Sequence, residues 1–278
     1  MRLLASECRR LWRPLTWGTT LCVVAGGLVL TRGGALLGNL SDVKSSAGVT
    51  VPHGLVFTSG TAIGRVAADL MASLPGVLAM LVLAGGHVAG EWSGRTLKTV
   101  LVQDGRRLRW VGGKVISLWL AGVAMLLALW GALACWTFAL RRWWPPNAHL
   151  GAGVGLRLAL PDVARSLLVI AVFASLATLA AILTRSMLGT LLGGMFVVGG
   201  SMAMSNIAFT RALPPYWVTG WMRFHAPAVG APYALWNDHF PPGVPYPSVV
   251  VGAVGLLALM GLCLALSGIL FRRTEVLV

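Results

Sequence analysis

Six stretches without a charged residue, each long enough to cross a bilayer, dictate what this chain can fold into. They cover residues 14–31, 70–90, 115–140, 166–184, 186–210 and 239–271, the last apolar from about residue 248. A membrane-spanning helix needs roughly 20 mostly apolar residues, because each rises about 1.5 Å through a hydrocarbon layer about 30 Å thick. Lipid offers no partners to backbone N–H and C=O groups, so spans of this kind must be helices that bond internally. Composition agrees: 57% of the residues are hydrophobic and 11% charged, against about 25% charged in soluble domains. Six uninterrupted apolar helices in 278 residues exclude a soluble core.

The net charge of +14 is read as flanks of membrane spans and not as a nucleic-acid surface. With the N-terminus placed in the cytoplasm, 13 of the 22 basic residues fall on the inside, in the shorter connections, as the positive-inside rule requires. The fold class expected is therefore all-α and polytopic: one permease-like domain over 1–278, with both termini cytoplasmic. Spans are expected at about 15–37, 69–90, 114–140, 164–184, 187–209 and 248–271, an inner loop at 91–113, and short helices in an outer loop at 211–247. Residues 3–14 mix leucines and Trp12 with Glu7, Arg9, Arg10 and Arg13 ahead of Pro14. That pattern suits an elbow helix lying in the interface plane. The first span has the charge layout of a signal peptide but no clear small-residue cleavage site, so it is expected to be retained.

Several chemistries lack their residues. Gly113-Lys114 is the one Gly-Lys pair, and neither the upstream glycine nor the following Ser/Thr of a P-loop is present. No H-E-x-x-H or G-x-S-x-G occurs. Three of the four cysteines (Cys22, Cys135 and Cys263) sit in apolar spans, and no C-x-x-C exists, so neither disulfides nor a zinc site is expected. His87 and Glu91 are spaced i,i+4, but two ligands are too few for a metal. No charged residue stands in the middle of a span, where ion-coupled carriers keep one despite its cost. These absences point to an energy source outside the chain.

The most specific segment follows the second span: Gly90-Glu91-Trp92-Ser93-Gly94-Arg95-Thr96-Leu97-Lys98-Thr99-Val100-Leu101, then Arg107, then Gly113-Lys114. It resembles the corresponding stretch in permeases of the type-2 ABC transporter family. There a Glu at the inner end of the second span precedes a Gly-Thr-Leu element, a short helix, an Arg, and a Gly/Ala-Lys opening the third span. Glu91, Gly94, Thr96, Leu97, Leu101, Arg107 and Lys114 match, while Arg95 intrudes between Gly94 and Thr96. The resemblance implies a bacterial plasma-membrane exporter subunit that pairs with a second permease copy or homologue and with two cytoplasmic ATPase subunits. ATP and Mg would be bound in those partners and no cofactor in this chain. The cargo implied is a hydrophobic or amphipathic compound.

The loop also reads physically as a coupling element. Leu97, Val100 and Leu101 fall at i, i+3, i+4 and suit a groove on a soluble partner, with Arg95 and Lys98 at an acidic rim. Glu91 can pair with Arg95, or with the elbow's Arg9 or Arg10, and Glu7 lies beside these. An ordinary basic inner loop fits the same residues from spacing alone. Gly189 and Gly193 form a G-x-x-x-G pair that suits either packing within the chain or a seam between two copies. Met195, Phe196 and Met202 suit either an apolar path or plain lipid contact. Two rival functions remain: a non-transporting subunit that anchors or regulates an envelope complex, and a secondary transporter.

Overall fold

The computed structural model describes residues 14–37, 43–44, 50–51, 67–93, 107–143, 152–204, 210–222 and 248–273. The helices are α1 (Pro14–Leu37), α2 (Leu74–Ala84), α3 (Gly90–Ser93), α4 (Arg107–Trp143), α5 (Ala152–Thr184), α6 (Met187–Met204), α7 (Pro214–Met222) and α8 (Val249–Arg273). A π-helical turn, Gly85–Ala89, joins α2 to α3 without a break in the rod. The sole sheet among the described residues is an antiparallel pair of two-residue strands, Val43–Lys44 and Thr50–Val51.

Among the described residues, four segments are long and apolar enough to cross a membrane: Leu74–Trp92, Leu108–Cys135, Leu160–Thr184 and Val249–Arg272. Pro14–Val29 and Met187–Ser201 are shorter apolar helices that run beside them. The protein is thus a helical membrane protein in which four helical segments among the described residues are long and apolar enough to span, where six spans were expected. At 18 residues, α6 reaches about 27 Å, close to the hydrocarbon thickness.

The rods alternate in direction. One end of the bundle gathers the start of α1, the end of α3, the start of α4, the α5–α6 turn and the end of α8. Between the rods lies a core of Leu, Val, Ala and Met with few bulky aromatics. Hydroxyls inside the helices fold back on their own backbone. Thr19 donates to the Leu15 carbonyl, Thr178 to Ala174, Ser175 to Ala171 and Thr190 to Ser186. These four hydroxyls are thereby satisfied by the backbone one turn before them.

Helix boundaries depart from expectation at three places. The second span is broken: residues 67–71 are helical, Ser73 is extended, and α2 starts anew at Leu74. Pro75 explains the restart, since proline suits the first turn and not the interior. Leu-Arg-Trp carries α4 back to Arg107, so Lys114 stands two turns inside that helix instead of opening it. Helix α5 begins at Ala152 and runs through Pro161, well before residue 164. Residues 91–93 and 107–113 of the expected inner loop are helical, and 94–106 lie outside the described residues, as does the elbow stretch 3–13.

Candidate functional site

Glu91 sits on α3, just past the π turn, and its carboxylate meets the ammonium of Lys114 on α4. Lys114 Nζ donates to Glu91 Oε1 at 2.6 Å, and the two side chains are 1% and 10% exposed. Trp110 lies one turn before Lys114 on the same face of α4 and donates its indole N–H to Glu91 Oε2 at 3.3 Å. Lys114 Nζ also stands 5.5 Å from the centre of the Trp110 ring, within cation–π range. Removing two charges from water is costly, and such a pair persists only where geometry and extra hydrogen bonds offset the desolvation. Here both carboxylate oxygens are engaged.

An aromatic layer closes the cluster on its outer side. Phe271, near the end of α8, stacks on Trp110 with ring centres 4.6 Å apart and planes 8° from parallel. Trp92 meets the same ring edge-on at 5.9 Å. The guanidinium of Arg185 lies 4.9 Å from the Trp92 ring centre. Arg185 occupies the turn between α5 and α6 with φ of 52°, a left-handed conformation that helix ends favour. Its N–H donates to the Ala181 carbonyl. Ser186 then caps α6 by accepting from the Gly189 N–H at 3.0 Å. The tight turn expected at residues 184–186 is present, and its arginine points at the site.

The π turn supplies the other wall. The Gly90 N–H reaches back to the Gly85 carbonyl, five residues earlier. His87 turns to α1, with Nε2 3.1 Å from Thr16 Oγ1, while Glu91 turns to α4. A side chain at Gly86 would collide with Leu15, and one at Gly85 would lie 3.0–3.3 Å from Met187. The turn is therefore the point where α1 and α6 both approach the second span. π turns of this kind are frequent at functional sites. Among the described residues, no group of three His, Cys, Asp or Glu is placed to hold a metal.

Of the expected coupling residues, the structure brings Glu91 and Lys114 together. Arg107 begins α4, and its side chain is outside the described residues. Gly94, Arg95, Thr96, Leu97, Lys98, Val100 and Leu101 lie outside them too, as do Glu7, Arg9 and Arg10. The pairing of Glu91 with Lys114 was not foreseen, nor were Trp92, Trp110, His87 and Phe271 as site residues. The spacing of Trp110 and Lys114 at i,i+4 was the available signal. Gly189 faces its own turn, where a Cβ would sit 2.6 Å from Ser186 Oγ and 2.8 Å from Thr184 Cβ; Gly193 faces Thr184, and Gly194 faces Leu81. This is packing within the chain. Met195 and Phe196 point outward, Phe196 with 83% of its surface exposed. Met202 is in α6, with its side chain outside the described residues. Comparison with protein-family profiles, curated proteins and solved structures finds no match to this chain.

Proposed function

We propose that this chain is the permease subunit of an ATP-driven exporter, crossing the plasma membrane six times with both termini inside. On this reading a second permease copy or homologue completes the pathway. Two separate ATPase subunits dock beneath it, bind ATP and Mg, and drive the outward passage of a hydrophobic or amphipathic compound. The observation that carries the reading is the buried Glu91–Lys114 pair. It fastens together the two helices that flank residues 94–106, so a push received by that stretch reaches both helices at once. Trp110 and Phe271 pass the same displacement to α8. The helices' own hydroxyls are turned inward to backbone carbonyls, a poor layout for an ion pathway.

The test is purification of the tagged chain from its native membrane, followed by assay of the co-purifying fraction for ATP hydrolysis and of vesicles for ATP-dependent efflux. A stoichiometric ATPase is expected, with hydrolysis retained and efflux lost in Glu91→Gln. Efflux driven by an ion gradient in ATP-free vesicles would overturn the proposal. So would labelling of cysteines placed at 97 or 98 from the outer side of sealed, right-side-out vesicles.

A further inference from the structure

Toward the bundle end opposite the Glu91 cluster, α1 and α2 stand apart and leave a cleft of about 280 Å³. Thr19, Cys22 and Gly26 line its α1 wall, Leu78 and Val82 its α2 wall, and Leu129 of α4 its floor. No lining side chain is charged, and the Thr19 hydroxyl is already committed to the Leu15 carbonyl. The cleft opens sideways: Cys22 is exposed, and nothing lies within 4 Å of the place a Gly26 Cβ would take. Gly27, one residue on, is by contrast pressed against Leu129.

Water does not suit this space, because a buried water needs two to four polar partners. An empty space does not suit it either, since the lining atoms would forfeit dispersion contacts on one side. An apolar cavity of about 150 Å³ accepts benzene, so a cleft nearly twice as large has room for roughly ten carbons in a row. Its open side lies between α1 and α2, two apolar helices of a membrane protein. We infer that the cleft holds one acyl chain of a bilayer phospholipid, seated between α1 and α2 as part of the folded protein. The site stands whether or not the chain transports.

The protein reconstituted in nanodiscs of phosphatidylcholine with a photoreactive diazirine in one acyl chain tests this. After illumination, adducts are mapped by peptide mass spectrometry. A roughly tenfold excess per exposed area is expected at Cys22, Leu78 and Val82 over Val250 and Val254, which lie on the open face of α8. Gly26→Leu and, separately, Cys22→Phe should each remove that excess by filling the cleft, with α8 labelling unchanged as the check that the protein is folded. Labelling proportional to exposure in the wild type would mean ordinary annular lipid and overturn the inference. Retention of the excess in both variants would overturn it too, as would displacement of the phospholipid by a trace of single-chain amphiphile.

Discussion

Replacing Lys114 by methionine keeps the length of the side chain and removes its charge, leaving the Glu91 carboxylate, 10% exposed, without the ammonium that stood 2.6 Å away. Breaking a buried pair by deleting one partner costs about 3–5 kcal/mol, because the remaining charge is uncompensated. At roughly 2–4 °C per kcal/mol for a chain of this size, the midpoint of thermal unfolding should fall by about 6–20 °C. The double variant Glu91→Gln/Lys114→Met removes both charges, and the amide can still accept from Trp110. Neutral replacements of whole buried pairs are often close to neutral in stability, so most of the loss should be recovered. The assay is a double-mutant cycle on the purified protein in nanodiscs, followed by tryptophan fluorescence. A coupling of about 2 kcal/mol or more is expected. A Lys114→Met midpoint within about 2 °C of wild type, or strictly additive effects, would refute the claim that the pair fastens the two helices.

Three further outcomes can be measured the same way. Gly252 lies so close to α7 that a Cβ would sit 2.5 Å from the Trp221 nitrogen and 2.6 Å from the Trp217 carbonyl oxygen. Because those atoms are backbone, Gly252→Ala should cost about 1–3 kcal/mol, whereas Gly199→Ala, which meets nothing within 4 Å, should gain about 0.5–1 kcal/mol from its helical position. Ser267 Oγ is buried with no hydrogen-bond partner, so Ser267→Ala should raise stability by about 1 kcal/mol; a loss would mean the hydroxyl has a role. Phe271→Ala removes the ring shared by Trp92 and Trp110 and should cost about 3–5 kcal/mol, with Phe271→Leu recovering part of it.

The helices were legible because their signal is local and long. Uninterrupted apolar runs give each rod, and residues 184–186 give a turn because no apolar helix can bend so sharply without a polar break. Pro75 was also legible as a helix start, yet the apolar run on both sides of it concealed the break at Ser73. The ends of α4 and α5 were misplaced for the opposite reason. Arginines at 107, 109 and 157 read as loop, although long charged side chains continue a helix readily at the membrane surface. The site was legible only in part. Glu91 and Lys114 were each singled out, but residues 23 positions apart on separate helices leave no pairing signal in one sequence. The π turn was hidden as well. It exists because α1 and α6 crowd Gly85 and Gly86, a tertiary cause with no local pattern beyond the two glycines.

Joining the helices on either side of residues 94–106 also decides where motion can occur. Separating α3 from α4 would strand a buried carboxylate and a buried ammonium, at several kcal/mol per ion, and would pull apart Trp92 and Trp110, which share the Phe271 ring. Around α1 the polar ties carry no charge: the Thr16–His87 hydrogen bond is worth about 1 kcal/mol net, and a cleft lies between α1 and α2. A driven displacement in the proposed exporter is therefore expected to carry α3, α4 and α8 as one body and to slide it past α1. Two disulfides in a background with the native cysteines replaced by serine discriminate. Leu108→Cys/Gly268→Cys bridges α4 and α8 where a Cβ at 268 would meet the Leu108 side chain, and Leu15→Cys/Gly86→Cys bridges α1 and the π turn where a Cβ at 86 would meet Leu15. Oxidation of the first pair should leave ATP-driven efflux intact. Oxidation of the second should stop it, with recovery on reduction. The reverse pattern would place the moving boundary inside the Glu91 cluster and make the buried pair a latch that opens during transport, not a fixed joint.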